Sequence, residues 1–373
     1  MTKKYDSIRF FHPEEVNPSL RYILRHPLMK VLLHYSFPHQ SQQEVVKIVE
    51  NISSIEDFQS KIIYPCMQNI LKNTSKGLSF SGIENVPRDQ ACIYISNHRD
   101  IVLDTGVLNL VLLENQYQLT ASVIGDNLVQ RELYLILAKL NRNFFVKRNA
   151  LPRELLENSK LLSEYIYKLN TEDQRSVWIA QREGRAKDGN DFTQAGVLKM
   201  ITMHDPENKP MEYLKKLKVV PVSISYEYDP TDSLKVKKAL SKNQEKHKNE
   251  DFISILTGVV GQKQRIHLHF GEVKEEKYYQ IQDSGLNANK QVQAFSEVLT
   301  QEIIQGYHLW PSNYIAADLL LKQHQYADFY TEREKAVFLK RMKMRLHKFP
   351  TEAQQIFLEA YANPVLNQEK YQE

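Results

Sequence analysis

The chain has 373 residues, 42% of them hydrophobic, and this is enough to bury the core of one large domain or two ordinary ones, so a disordered chain is not expected. The formal net charge of +4 suits an anionic ligand or lipid surface, and no zinc-finger spacing or RNA-recognition signature indicates nucleic acid. Cys66 and Cys92 are too few for a disulfide framework, which favours a reducing, cytosolic compartment.

Residues 1–78 are predicted to be helical, and their start, MTKKYDSIRFFHPEE, lacks the apolar region of a signal peptide. Within PSLRYILRHPLMKVLLHYSFP (18–38) apolar side chains recur at helical spacing, and Pro27 is expected to kink or divide the run. Residues 43–71 continue as one or two helices. A basic amphipathic segment of this kind can lie on anionic lipid or cap the main domain, and the cap is the favoured interpretation.

Residues 79–310 alternate between strand-like and helix-like runs, which predicts an α/β domain with a mixed, mostly parallel central sheet flanked by helices. The predicted strands cover 91–95, 119–124, 143–146, 177–180, 219–226 and 265–270. The predicted helices cover 103–113, 127–140, 152–169 and 290–306. The charge-rich stretch 235–250 is predicted to be a solvated loop or an exposed helix. The longest apolar stretch, 101–113, is too short and polar to cross a membrane.

The tail, residues 311–373, is predicted to be helical again. Its segment 331–349 carries an apolar stripe of Leu339, Met342, Leu346 and Phe349 beside five lysines and arginines. Such a helix can dock on a membrane surface or on its own domain. The two interpretations have equal support from the sequence.

The stretch SNHRDIVLD (96–104) places His98, Asp100 and Asp104 where a predicted strand ends and a helix begins. Sheets of this class place ligands and catalytic groups at that position. A carboxylate nearby can hold one imidazole nitrogen, fix the tautomer and leave the other nitrogen as a general base. No G-x-S-x-G motif is present and neither cysteine is an obvious nucleophile, so such a base would take its proton from a substrate hydroxyl or from water.

Other histidines give little support to a metal site. The sequence has no H-E-x-x-H motif, and His267 and His269 on one strand face are interpreted as ordinary strand residues. No metal is therefore predicted. The alternative in which His98 activates water, with or without a metal held by Asp100 and Asp104, would make the protein a hydrolase.

Three further features follow in order along the chain. An aromatic strand, NRNFFVKR (141–148), ends on Lys147 and Arg148, and VWIA is followed by QREGRAKDGND (181–191). Arginine forks suit phosphate oxygens and a glycine lets backbone approach a ligand, although a charged surface turn would look the same. In KVVPVSISYEY (218–228), Pro221 is expected at a sheet edge or at the start of a strand.

This order of features resembles the glycerolipid acyltransferase family, which includes glycerol-3-phosphate and 1-acylglycerol-3-phosphate acyltransferases. The resemblance covers about residues 80–230. It implies that His98 is the base that deprotonates the acceptor hydroxyl and that Asp104 is its acidic partner. It also implies that the phosphate region of the acceptor is held by Arg148, Glu183, Gly184 and Arg185.

The sequence departs from the family pattern at two places. The family usually has four residues between the histidine and the aspartate, but five separate His98 from Asp104, a change of about 100° on a regular helix. Either the segment after His98 is not yet helical, or it contains a bulge, or Asp100 is the acidic partner of the histidine instead. Asp104 is the favoured partner, because it interrupts the apolar run. Arg185 directly follows Gly184, where the family has one intervening residue, which makes Lys187 a rival for the phosphate contact.

The resemblance implies an O-acyltransferase of phospholipid synthesis that moves a fatty acyl group from acyl-CoA or acyl carrier protein to the hydroxyl of a phosphorylated glycerol. It implies no cofactor beyond the acyl carrier, and a cytoplasmic protein peripherally associated with the inner face of an anionic membrane. The alternatives are a lysophospholipid or aminolipid O-acyltransferase, and a lipid-surface binding protein with a decayed site.

Overall fold

The structure is a computed structural model that describes residues 3–148, 152–241 and 249–372. Seven strands form one sheet in this part of the chain. They are β1 (Ser75–Ser81), β2 (Ile93–Ser96), β3 (Ala121–Gly125), β4 (Asn143–Val146), β5 (Val177–Ala180), β6 (Val219–Tyr226) and β7 (Gln264–Phe270).

Helices precede, surround and follow this sheet. Before it lie α1 (Pro13–Ile23), α2 (Pro27–Ser36), α3 (Gln42–Glu50), α4 (Ile55–Phe58) and α5 (Tyr64–Thr74). Between the strands lie α6 (Leu103–Glu114), α7 (Glu132–Leu140), α8 (Pro152–Tyr167), α9 (Ala195–Thr202), α10 (Pro210–Lys216), α11 (Asp232–Leu240) and α12 (Glu250–Val260). After it come α13 (Glu275–Gln282), α14 (Ala288–Gly306), α15 (Pro311–Leu321), α16 (Glu332–Leu346) and α17 (Ala353–Lys370).

The sheet has the strand order β1-β7-β6-β2-β5-β3-β4. Only the β6–β7 pair is antiparallel, and the other neighbouring pairs run parallel. The prediction of an α/β fold with a mixed, mostly parallel sheet flanked by helices is therefore confirmed. The strands β2 to β6 all end at the same edge of the sheet, because they are mutually parallel.

Strand β1 was missed by the sequence pattern, and it begins inside the region predicted to be helical up to residue 78. Its sequence, SKGLSFS, contains only Leu78 and Phe80 as large apolar side chains, and most of the strand is exposed. An edge strand needs little apolar surface, so it leaves a weak periodic signal.

Pro221 does not lie on an edge strand, because β6 is paired on both sides, with β2 and with β7. The paired register between β6 and β7 begins at Val222, opposite Phe270. Pro221 precedes that register, and its carbonyl accepts a hydrogen bond of 2.8 Å from the Gly271 N–H. A proline is tolerated there because its missing N–H falls outside the β6–β7 ladder.

Alternating side chains of β2 and of the residue before it divide the core between the two faces of the sheet. Ile93 and Ile95 pack on one face with side chains of α8, α9 and α14. Cys92 and Tyr94 pack on the other face with side chains of α5 and α6. This alternation is the two-residue period of a strand covered on both sides.

The terminal helical segments pack against the rest of the protein. Leu20 and Ile23 of α1 are buried in a cluster that includes α7, and Pro27 is the first residue of α2, so it divides the helical run as expected. In the tail, α16 buries Phe338 and Leu346 in a cluster with α15 and α17. No helix in the described ranges is long and apolar enough to cross a membrane.

Candidate active site

The residues singled out in the sequence lie at the edge of the sheet where the parallel strands end. His98 follows β2, Arg148 follows β4, and Arg185 lies in the loop after β5. The Ala186 N–H donates a hydrogen bond of 2.8 Å to the His98 carbonyl, which joins the β5 loop to the β2 loop. In open α/β sheets this edge is the usual place for ligands.

His98 is paired with Asp104. The His98 Nδ1 atom lies 2.8 Å from Asp104 Oδ2, and the same oxygen accepts hydrogen bonds from the backbone N–H groups of Arg99 (2.6 Å) and Asp100 (2.9 Å). An ionised carboxylate can only accept hydrogen bonds, so the Nδ1 atom is the donor and the imidazole lone pair is on Nε2. The geometry therefore selects one tautomer of His98.

The extra residue between His98 and Asp104 is accommodated in a turn that is not helical. Helix α6 begins only at Leu103, and Asp100 Oδ1 accepts hydrogen bonds of 3.0 Å from the N–H groups of Val102 and Leu103. The helical geometry that would rotate the acid away from the histidine does not apply to this turn. Asp104, rather than Asp100, is the carboxylate in contact with His98.

Asp100 supports the turn and contacts α12. Its Oδ2 atom is buried and has no hydrogen-bond partner within the described ranges. Burial, reinforced by the nearby Asp104 charge, raises the pKa of the Asp100 carboxyl. A Cβ atom added at Gly258 of α12 would lie 2.2 Å from this oxygen, so the helix approaches the turn as closely as a glycine allows.

Tyr226, at the end of β6, completes the hydrogen bonding of Asp104. Its hydroxyl donates to Asp104 Oδ1 over 2.9 Å, and Asp104 is completely buried. Burial and the adjacent carboxylate raise the pKa of Tyr226 well above its usual value, so the hydroxyl remains a donor. The sequence analysis missed this residue. Its position at the end of a strand parallel to β2 was the available signal.

Asn97 and Arg99 hold the residues on either side of His98. The Asn97 side chain accepts from the Ile224 N–H (2.8 Å) and donates to the Ile224 carbonyl (3.0 Å), which extends the β2–β6 pairing by one position. Arg99 is buried and forms an ion pair with Asp191, which lies in the loop after β5. These buried contacts fix the backbone that carries the histidine, and no motif in the sequence analysis indicated them.

The His98 ring lies in a partly open position. Its side chain is 17% exposed, and its ring centre is 5.5 Å from that of Trp178 in an edge arrangement. The Trp178 indole N–H donates to Ser96 Oγ over 2.9 Å, which holds the tryptophan in place. One side of the imidazole is therefore packed while part of the ring remains accessible.

The predicted phosphate-binding residues lie in two neighbouring loops at the same edge. Arg148 Nη1 is 3.2 Å from Glu183 Oε1, and the side chains of these residues are 36% and 72% exposed, respectively. Gly184 has φ +71°, a left-handed conformation that favours glycine. Arg185 Nη2 lies 3.5 Å from Ser254 Oγ of α12, and Lys187 is exposed. The loops thus place two arginines, a glutamate and a lysine beside the His98 loop.

His267 and His269 lie on β7, away from this edge. Hydrogen bonds of 2.8 to 2.9 Å join their ring nitrogens to the hydroxyls of Ser79 and Ser81 on β1. Burial lowers the pKa of His267 to about 4, with smaller contributions from His308 and His269. Within 3–148, 152–241 and 249–372, no group of three or more histidine, cysteine, aspartate or glutamate side chains could hold a metal ion.

Comparison with known proteins gives one family match. Residues 77–225 match the family model described as Acyltransferase, and this range contains His98, Asp104 and both loops with the arginines. This part of the chain is similar to the acyltransferase family. The resemblance that the sequence motifs indicated is confirmed at the level of this family, and the match ends one residue before Tyr226.

Among solved structures, the chain is similar to the 1-acyl-sn-glycerophosphate (LPA) acyltransferase PlsC from Thermotoga maritima. The two chains share 14% sequence identity, the TM-score is 0.38, and the similarity covers 77% of this chain and 94% of that one. No curated protein is significantly similar to the chain.

Proposed function

We propose that this protein is an acyltransferase that moves a fatty acyl group from acyl-CoA or acyl carrier protein to the free hydroxyl of a phosphorylated glycerol, either glycerol 3-phosphate or 1-acylglycerol 3-phosphate, in phospholipid synthesis. The observation that carries the proposal is the His98–Asp104 pair, whose geometry leaves Nε2 as the basic nitrogen. The arginines in the two adjacent loops supply the binding groups for a phosphate.

In the proposed reaction, His98 Nε2 takes the proton of the acceptor hydroxyl while the oxygen attacks the thioester carbonyl carbon. The tetrahedral intermediate collapses, the carbon–sulfur bond breaks, and the thiolate leaves with the proton from His98. Asp104 stabilises the imidazolium between these steps and keeps the ring in one orientation. No covalent acyl-enzyme is needed, because a thioester is already activated and the hydroxyl requires only a base and alignment.

The acceptor phosphate is assigned to Arg148 and Arg185. Arginine forms paired, charge-assisted hydrogen bonds with phosphate oxygens. Glu183 contacts Arg148 and orients it in the proposal, while Gly184 allows the β5 loop to turn toward the acceptor. The glutamate and arginine side chains are exposed enough that they can rearrange around a ligand.

The acceptor class is tested by supplying labelled acyl-CoA with glycerol 3-phosphate, with 1-acylglycerol 3-phosphate, or with no acceptor, and resolving the lipid products. Product with one phosphorylated acceptor supports the proposal. If neither phosphorylated acceptor gives product, 1-acylglycerophosphocholine and an aminolipid are supplied in turn, and product with either would select the alternative acceptor. Consumption without any acceptor would mean thioester hydrolysis, and failure with both acyl-CoA and acyl carrier protein donors would contradict the proposed reaction.

The phosphate assignment is tested with Arg185→Gln and, as a matched control in the same loop, Lys187→Gln. We expect Arg185→Gln to raise the KM for the acceptor by about 10-fold or more, the range expected when a charged hydrogen bond is lost. The KM for the acyl donor should change little. A normal acceptor KM in Arg185→Gln together with a raised one in Lys187→Gln would transfer the role to the lysine.

A further inference from the structure

Three large apolar side chains of helix α12 face solvent, while the two residues that the helix buries are small. Ile253 is 50% exposed, Leu256 is 42% exposed and Val260 is 58% exposed. Ser254 and Gly258, one turn apart, are the residues of this helix that are buried. A helix on the surface of a globular protein usually has the opposite pattern, with its apolar stripe facing the core. The exposed stripe therefore indicates a surface that contacts something other than water.

This helix lies over the candidate active site. It belongs to the connection from the end of β6 to β7, so it rises from the sheet edge where His98 is located. Its inner face contacts the loops that follow β2 and β5. Gly258 packs against the Asp100 carboxyl of the first loop, and Ser254 Oγ lies 3.5 Å from Arg185 Nη2 of the second. At its start, the Phe252 ring stacks with that of Tyr134 of α7 at a centroid distance of 6.3 Å.

Basic side chains lie near both ends of the apolar stripe. At the start of α12, the exposed Arg131 donates a hydrogen bond of 2.8 Å to Asn249 Oδ1, and Lys238 pairs with Glu250 of the first turn. At the other end, the Gln262 side chain donates to the Asn73 carbonyl, which brings the exposed Lys72 and Lys76 near that end of the helix. An apolar stripe with basic side chains near both ends is complementary to an anionic lipid surface, in which acyl chains lie beneath negative headgroups.

We infer that α12 is a lipid-contacting helix, and that Ile253, Leu256 and Val260 enter the headgroup and acyl-chain boundary of an anionic membrane. The contact would place the His98 edge of the sheet at the lipid surface, where amphiphilic substrates and products reside. This inference deepens the proposed function, but its test measures lipid contact and needs no turnover.

The first experiment uses a Leu256→Cys protein that carries an environment-sensitive nitrobenzoxadiazole label. The native thiols do not compete, because Cys66 and Cys92 are buried and burial raises their pKa values to about 11 and about 12. Vesicles of equal parts phosphatidylglycerol and phosphatidylcholine should shift the emission of the label to the blue and increase it. A label at Met203→Cys is the control, since Met203 is 39% exposed and follows α9, away from α12.

The second experiment compares vesicle binding by co-sedimentation. Ile253→Ser/Leu256→Ser should weaken binding to the anionic vesicles at least about 10-fold, because burial of one such side chain alone is worth that much. Met203→Ser should bind as the wild type does. Pure phosphatidylcholine vesicles should bind the wild type less well than the anionic vesicles.

Three results would overturn the inference. One is a wild-type protein that does not bind anionic vesicles. Another is a bound protein whose label at position 256 stays in a water-like environment, since lipid contact would then lie elsewhere on the protein. The third is a label that responds to an acyl carrier protein and not to vesicles, which would make α12 a protein-docking surface. Each result is independent of whether the acceptor proposed above is correct.

Discussion

Replacement of Asp104 by asparagine isolates the charge of the carboxylate from its geometry. The oxygen that remains can stay where Oδ2 now accepts hydrogen bonds from His98, Arg99 and Asp100. The new amide NH2 group would then face the Tyr226 hydroxyl, which can reverse its role from donor to acceptor. The fold and the His98 tautomer should therefore survive, while the negative charge beside the imidazole is lost.

The size of the effect follows from that lost charge. With Nδ1 and Oδ2 2.8 Å apart, the centres of the imidazolium and carboxylate charges are about 4 Å apart, which gives about 4 kcal/mol at an effective dielectric constant of about 20. This attraction acts when His98 has taken the acceptor proton. Its loss should reduce kcat about 10³-fold.

Asp100→Asn is the matched control, because Asp100 is the neighbouring buried carboxyl and contacts backbone N–H groups instead of His98. Both variants and the wild type are compared by release of free thiol from acyl-CoA in the presence of the productive acceptor, with circular dichroism to verify folding. We expect Asp100→Asn to stay within about 10-fold of the wild type, since a loss of general-base function would cost about 10² or more. A folded Asp104→Asn protein with near-normal kcat, or a larger loss in Asp100→Asn, would refute the assignment of Asp104.

Two stability predictions follow from other contacts. Gly258→Ala would place a Cβ atom 2.2 Å from Asp100 Oδ2, so we expect a loss of about 1–3 kcal/mol in the free energy of unfolding by urea. The control is Gly196→Ala, whose added Cβ atom would meet no other atom within 4 Å and which should be neutral or slightly stabilising. Equal stability of the two variants would disprove the close packing of α12. Burial lowers the pKa of His267 from 6.5 to about 4, so the folded state holds that proton less readily than the unfolded state. The stabilisation from neutral His267 is present above pH 6.5 and is lost as the pH falls toward 4. The Tm of the wild type should therefore drop more than that of His267→Gln over this range, and parallel curves would contradict the buried environment.

The sequence pattern predicted the interior strands well, because each is an apolar run. It also indicated the edge of the sheet that carries the candidate site, because several of these runs end in polar residues. Strands β4, β5 and β6 have the predicted bounds. Strand β1 escaped, since an exposed edge strand with two large apolar residues has almost no period. Pro221 was expected at an edge or at the start of a strand; it is the third residue of the interior strand β6 and precedes the residues that pair with β7.

The candidate site was predictable only where the motif is local in sequence. The proximity of His98 and Asp104 was anticipated, but the turn that permits their spacing depends on Asp100 accepting two backbone hydrogen bonds. Asp191 contacts Arg99 and Tyr226 contacts Asp104, although both lie far from these partners in the sequence. A single sequence does not show which distant residues will be in contact. Helix α12 was not predicted, and only its first residue lies in the stretch 235–250 that was interpreted as a solvated loop or an exposed helix.

The central claim, that His98 is the general base, is tested most directly by acyl transfer in His98→Ala with the productive acceptor and saturating acyl donor. Loss of the base predicts a reduction in kcat of about 10²- to 10⁴-fold, with normal folding and little change in the KM values of either substrate. A folded His98→Ala protein that keeps most of the wild-type kcat would contradict the mechanism.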